Sequence, residues 1–592
     1  MGSTIPPEDC GCGGGHRLTD GLSRRQMLQR LGALGAGLSL GPRVAIGATS
    51  EDRAALLKSA AVARGKAGRF TVLYTADIHA QLHTHDEFFF ENGQAIYRKR
   101  GGFAVLKTMV DTLRAADPHN TIVLDAGDCF QGSGVAALSQ GHALVPLMDR
   151  VGYDLVLPGN WEVIYGKKMM LKNLGDYRAA KICANMFHAK RPATSPSAEP
   201  DLGREGELIF PPYWMTRVAG AKVGFIGYND PLTPKRQSPA YSYGIAFTRP
   251  EANVAHYVRL LRDDEQCAMV FLVTHMGLAQ QVDLANQPVV AGVDMILGAD
   301  THERVRTPLV GKYTRVVEPG AFGSFLARLD VIVENGQIKD SHYELLDVDP
   351  EKYPADSGMT KLVEEVSAPY ARELDKVIGA TLTTLVRYYV IETPMDNLIT
   401  DALMWKLEPD IALSNGFRFC PPIVADGVTP TPLTNDSLWS MLPVNSNAKL
   451  GEVTGRQLWD CLEQELHNVF AKDPAQRLGG WVVRCKGMTA NFTMQRDLGK
   501  RVNWIKVADR PLDLARSYLI AACEREGDPD DMLCRLVKVK NPRLAGARMH
   551  DILREYLAKF SPVSPRVEGR LTATDAPQDL LSQLEGYDYS FR

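Results

Sequence analysis

Phe70-Thr71-Val72-Leu73-Tyr74-Thr75-Ala76-Asp77-Ile78-His79 is a short apolar run that stops at two side chains able to bind a metal. Its first six residues are aromatic, aliphatic or β-branched, the composition of a buried strand. The same event recurs along the chain. Thr121–Leu124 runs into Asp125-Ala126-Gly127-Asp128, and Leu155–Leu157 into Gly159-Asn160-Trp161-Glu162. Met269–Thr274 runs into His275-Met276-Gly277, and Val293–Leu297 into Gly298-Ala299-Asp300-Thr301-His302. A sixth run, Val223–Gly227, has the same strand character. Helix-period segments such as Gly102–Ala116 and Pro250–Arg262 lie between them, so the pattern predicts an α/β layered domain with helices covering sheets. Ligands at the carboxyl ends of strands in such a sheet converge on one crevice. Taken singly, an Asp at a strand end also suits an Asx turn or helix cap, and a single His suits a hydrogen-bonded pocket. The force of the pattern lies in five such ends in one chain.

Further along, Phe325–Val333 and Ile338–Leu346 flank Asn335-Gly336, a hairpin by turn chemistry. These elements bound a first domain at 68–350. Residues 351–379 read as a helical linker kinked or broken at Pro369, residues 380–575 as a second domain, and residues 576–592 as a polar, poorly packed tail.

With 592 residues, 45% of them hydrophobic, the chain is too long for one core and too apolar for disorder. Lys and Arg number 67 against 70 Asp and Glu, which excludes a nucleic-acid polymer held by a basic surface and leaves any anionic substrate to local charges. Residues 1–48 read as an export signal. Ser23-Arg24-Arg25-Gln26-Met27-Leu28 supplies a twin-arginine pair, Leu31–Leu40 a short apolar region, and Ala45-Ile46-Gly47-Ala48 a small-residue cleavage zone. That apolar region is far short of the roughly 20 residues of a membrane span, so the expected product is periplasmic, monomeric and not inserted in a membrane. Cysteine spacing supports no disulfide assignment.

The series D-x-H, G-D, G-N-x-E, H-x-G and G-x-x-x-H (Asp77/His79, Asp128, Asn160/Glu162, His275, Gly298/His302) resembles the calcineurin-like metallophosphoesterases, specifically the 5′-nucleotidase family. The resemblance implies an N-terminal four-layer αββα metallophosphoesterase domain joined by a helix to a C-terminal α/β 5′-nucleotidase-type substrate domain. It also implies two divalent metal ions. Asp77, His79 and His302 would hold one, and Asn160, His275 and Asp300 the other, with Asp128 bridging. Such a mixed N/O set suits manganese, iron or zinc. Glu162 would orient a neighbouring ligand. His83 and His85 suit either a pocket-rim loop or a separate metal cluster.

Two positions depart from the family pattern. Trp161 stands where 5′-nucleotidases carry a His that assists the leaving group, and a positioned acid is typically worth about 10²- to 10⁴-fold. A sulfur leaving group, with free thiols near a pKa of about 8.5, departs without it. Asp300 stands where the family has a metal-binding His, which makes the second site more anionic, changing its metal preference or leaving it weak or empty. The Trp, together with Ala76–Leu82, Gly323–Asp330, Ala368–Gly379, Asp396–Met404, Gly416-Phe417-Arg418 and Val483–Met488, resembles the SoxB thiosulfohydrolases within that family. The implied reaction is hydrolysis of a sulfonate, released as sulfate, from a cysteine-bound thiosulfonate on a SoxYZ-like carrier, at a dimanganese centre. The alternatives are a periplasmic 5′-nucleotidase or phosphodiesterase and a non-catalytic accessory homologue. Arg418 and Arg484 are the candidate grips on the sulfonate or phosphate, because a guanidinium presents a fixed fork of donors to an oxyanion. Phe417, Phe419 and Trp481 could sandwich a base or pack in a core. Asp128, Asn160, Trp161 and Arg418 are the expected catalytic set.

Overall fold

The computed structural model describes residues 68–190, 203–414 and 420–582. The twin-arginine segment, Phe417, Arg418, Phe419 and the end of the tail lie outside the described residues. What is described forms two α/β domains, an N-terminal sandwich of two six-stranded sheets and a C-terminal domain around a five-stranded sheet.

The Gly68–Thr75 strand lies inside a six-stranded sheet. It pairs in parallel with Thr121–Asp125, which continues to Leu155–Val156 and Ala180–Lys181. On its other side it pairs antiparallel with Phe325–Glu334, the first arm of the hairpin completed by Gln337–Asp347 around Asn335-Gly336. The second six-stranded sheet runs Leu309–Val310, Arg315–Val317, Met295–Leu297, Met269–His275, Ala221–Asn229, Tyr213–Val218, and its four middle strands are parallel. Parallel strands covered on both faces read as unbroken apolar runs, which is why Val72, Leu73, Val123, Leu124 and the whole of Met269–His275 are buried. Each fully buried aliphatic or aromatic side chain contributes about 1.5–3 kcal/mol. Both sheets and their covering helices, Phe103–Ala115 and Leu278–Ala285 among them, share one core.

Pro369 does not break the linker. The helix Ser357–Leu374 runs through it, with Asp356 as its N-cap accepting from Met359 N. The carbonyl that loses its partner belongs to Glu365, an exposed residue, so the lost bond falls on the solvent side of the helix. The C-terminal domain has a five-stranded sheet in the order Arg484–Lys486, Ile411–Ser414, Ser517–Cys523, Asn447–Thr454, Lys540–Arg548. Helix Gly455–Phe470 begins on a Thr454/Gln457 capping box, and helix Pro394–Leu407 begins on Thr393 with proline at its first position. The tail is not loose throughout. Leu580 O accepts from Val390 N, Gln578 bonds Glu392 and Leu571 O, and Ala576 and Leu580 pack on the domain core. Among the described residues, no helix is long and apolar enough to cross a membrane.

Candidate metal centre and substrate cleft

The strand ends meet where the two sheets open. Asp77, His79, Asp128, Asp300 and His302 all sit at positive φ, between 48° and 95°. Such a backbone costs about 1–3 kcal/mol at each position and persists only where the surroundings enforce it. Here Asp77 N donates to Gly127 O, His79 N to Asp128 O and Phe322 N to Asp77 O, each at 2.8 Å. Glycine is required at 159, because a Cβ there would lie 2.2 Å from Asp128 Oδ1. Glu162, fully buried, fixes the loop that carries Asp128. Its carboxylate accepts from the backbone N–H groups of Asp128, Cys129, Phe130 and Gly159 at 2.5–3.3 Å. Burial, with Asp128 adding, pushes its pKa up to about 7.

Two ligand groups result: Asp77, His79 and His302, and Asp77, Asp128 and His275. His79 Nδ1 donates to Gln131 O at 3.0 Å and His275 Nδ1 to Ala126 O at 2.7 Å, an assignment of tautomer that leaves each Nε2 lone pair facing inward. Asp128 Oδ2 lies 3.0 Å from His275 Nε2 and 3.7 Å from His79 Nε2, between the two groups. Asp77 Oδ1 is 3.5 Å from His302 Nε2, 3.7 Å from His275 Nε2 and 3.9 Å from His79 Nε2.

This arrangement fits divalent ions. Asp77 Oδ1 and His275 Nε2 are buried without a hydrogen-bond partner among the described residues, and His79 Nε2 and His302 Nε2 face each other at 3.0 Å. Buried polar atoms left in that state are costly unless a cation takes their lone pairs. Burial also pushes Asp77 up, with Asp128 and Glu318 adding to it, and pulls His79 down, with His302 adding to it. For His275 burial alone would lower the pKa, but Asp128, Asp77 and Asp300 outweigh it and raise it. Six Asp and His side chains converge here, consistent with a dinuclear site.

Asn160 and Asp300 come to the same place but are bound to protein partners. Asn160 Nδ2 donates to Asp300 Oδ1 at 2.6 Å, and Asn160 Oδ1 accepts from Gln237 Nε2 at 2.9 Å. Arg236 Nη1 lies 2.7 Å from Asp300 Oδ2. Trp161 lies beside them on the wall of a cleft whose opposite wall belongs to the second domain: Glu465, Asn468, Leu478, Trp481 and Arg535.

Arg484 is not in this cleft, contrary to the expectation that it grips substrate. Its side chain is 1% exposed, donating to Tyr389 O and Val390 O at 2.7 Å and pairing with Asp396 at 3.3 Å, so every edge of the fork serves the fold. Arg387 shares the same carboxylate. His83 is exposed, while His85 bonds Ser324 Oγ at 3.0 Å, and neither belongs to a metal-ligand group among the described residues. Sequence reading passed over Arg236 and Gln237. The signal available was the sixth strand end, Tyr228-Asn229-Asp230, where Asp230 anchors Arg236 at 2.7 Å.

Fold and site together define a metal-dependent hydrolase of the metallophosphoesterase type. Residues 377–524 match the family model of the 5′-nucleotidase C-terminal domain. The trifunctional nucleotide phosphoesterase YfkN of Bacillus subtilis is 26% identical over 86% of this chain, although the match spans only 35% of that longer protein. Among solved structures, the sulfate thiohydrolase SoxB of Thermus thermophilus superposes with a TM-score of 0.75 at 24% identity, covering 87% of this chain and 98% of that one. A 5′-nucleotidase precursor from the same species gives 0.73 at 23% identity, covering 86% and 100%. These two likenesses carry the fold. The family-model match adds that residues 377–524 form a domain of the 5′-nucleotidase C-terminal kind.

Proposed function

We propose that the protein is a periplasmic dimanganese hydrolase that removes a sulfonate, as sulfate, from a cysteine-bound thiosulfonate presented by a SoxYZ-like carrier protein. The observation that carries this reading is Trp161, an indole on the cleft wall beside Asn160 and His302. An indole exchanges no proton near neutral pH, so at that position it cannot assist a basic alkoxide leaving group. In the proposed reaction water adds to the sulfonate sulfur, the S–S bond breaks, and the persulfide sulfur leaves with the bonding pair. It needs little help, because a sulfur anion is a weak base.

Asp77, His79 and His302, with Asp128, His275, Asn160 and Asp300, would hold the two ions. When bound, these supply Lewis acidity toward the oxyanion and an activated water. The chain's own part is to fix these ligands: Glu162 sets the Asp128 loop, Gln237 orients Asn160, and Ala126 O and Gln131 O set the imidazole tautomers. Arg418, from sequence, remains the candidate anion grip. The twin-arginine segment supports export of a folded, metal-loaded protein. The SoxB of Thermus thermophilus, which shares this fold, is itself a sulfate thiohydrolase, and that supports the same class of reaction here.

A second reading, a 5′-nucleotidase or phosphodiesterase, is favoured by Trp481, whose ring lines the opposite wall and could stack on a base. The test reconstitutes the full mature chain with manganese and measures sulfate release from a carrier bearing cysteine S-thiosulfonate beside phosphate release from nucleoside monophosphates. Sulfate release far outpacing phosphate release is expected. Rapid phosphate release without sulfate overturns the reading in favour of the nucleotidase.

A further inference from the structure

An aspartate where the family carries a neutral imidazole adds a negative charge to the second metal position. Asp300 does not act alone, however. Its Oδ2 is 2.7 Å from Arg236 Nη1, and the same nitrogen lies 2.7 Å from Asp230 Oδ2. Arg236 is fixed a third time by the second domain, where its Nε donates to Leu478 O at 3.2 Å. All three groups are nearly inaccessible, with side-chain exposures of 12% for Arg236, 4% for Asp300 and 0% for Asp230. The guanidinium therefore has one available position, and it consumes one of the two oxygens of Asp300. The other oxygen, Oδ1, points into the cluster, 2.6 Å from Asn160 Nδ2 and 3.9 Å from His275 Nε2.

We propose that Arg236 is the positioning residue and counter-charge of Asp300. With Arg236 on Oδ2, Asp300 offers a single oxygen to the second ion, as a histidine offers a single nitrogen, and the guanidinium, shared with Asp230, offsets the negative charge that Asp300 brings. The negative charge that Asp300 adds to the second site is thus countered by the buried guanidinium beside it. Asp230 holds the guanidinium in place from the far side, and Leu478 O ties its orientation to the docked second domain. The proposal rests on the dinuclear reading of the site and is independent of the substrate.

The test is a charge ladder read as metal affinity, with no substrate present. The full-length apo-protein and its variants are titrated with Mn²⁺, following heat and the paramagnetic signal of free and bound ion. Asp300→His removes one negative charge beside the second ion while Arg236 stays, and weakens that ion by about tenfold or more. Arg236→Gln leaves Asp300 uncompensated and tightens it by a similar factor. The double variant Asp300→His/Arg236→Gln restores the wild-type affinity to within about threefold, a non-additivity that a merely structural role does not produce. Arg236→Lys keeps the charge and stays near wild type, which preserves the test should Arg236→Gln fold poorly. A second-ion affinity that falls in Arg236→Gln, or a double variant no better than Asp300→His, overturns the proposal. A wild-type protein that takes up only one ion at any manganese concentration overturns the dinuclear reading and this one together. Two ions in wild type with no ordering among the variants overturns this one alone.

Discussion

Trp161 and Asp300 are single-residue departures with opposite accounting. Asp300 is compensated, since Arg236 occupies one oxygen at 2.7 Å. Trp161 is not: its backbone N–H donates to Asp128 Oδ1 at 2.7 Å, so the position is fixed by the ligand loop while the side chain faces the cleft. Restoring an imidazole there is therefore expected to change chemistry rather than folding. Trp161→His is predicted to raise phosphomonoester turnover by about 100-fold, the low end of what a positioned acid supplies. Release of a sulfur leaving group should change by far less. Comparing kcat for the two substrate classes in wild type and variant checks this. Equal effects on both would mean that the indole acts through packing alone.

Among the elements, the short loops after the strands carry the site, and Glu162 is what makes the Asp128 loop rigid. Four backbone N–H groups converge on its carboxylate, and with burial and Asp128 pushing its pKa up to about 7, it has no alternative role in solvent. Glu162→Ala strands those donors, each costing about 1–3 kcal/mol if left unsatisfied, and releases the loop. Metal affinity is predicted to fall by about 10- to 100-fold, measured by manganese titration with near-ultraviolet dichroism as the check on folding. The strands and the terminal ligands were legible in sequence because an unbroken apolar run that stops at Asp, Asn or His leaves a pattern. The partners that orient them were not, since Gln237, Arg236 and the carbonyls of Ala126 and Gln131 reach the site only through the fold. Arg484 shows the converse: its residue type fits an anion grip, but Asp396 and two carbonyls claim it.

At the scale of the whole molecule, the two domains are joined by a buried polar clamp as well as by the cleft. Glu87 of the first domain, with no exposed side chain, accepts from Tyr388 Oη, Ser324 Oγ and Arg304 Nη2, all at 2.6 Å, while Phe88 stacks on Tyr388 at 4.9 Å. Burial alone would raise the Glu87 pKa, but Arg304, His85 and Ser324 outweigh it and hold it at about 2, below its ordinary 4.5. A carboxyl depressed in the folded state stabilises fully above its unfolded pKa and loses that contribution as pH falls through the folded one. The clamp should therefore weaken between pH 4.5 and about 2, by on the order of 3 kcal/mol in all. Thermal unfolding across that window is expected to show a steep loss of stability in wild type and a shallower one in Glu87→Gln. Identical slopes would remove Glu87 as the acid-sensitive group.

By itself, the sequence determined the layered α/β architecture and the points where ligands enter it. Apolar runs, turn chemistry and terminal Asp, Asn and His are local properties of a chain. Only the tertiary structure decided how the ligands are held, that Asp77 is shared by both groups, that Arg236 pairs with Asp300, and that Arg484 belongs to the core. Those outcomes depend on which buried groups meet across long stretches of chain. In a low-dielectric interior, an ionised group is stable only beside the partner that the fold brings to it.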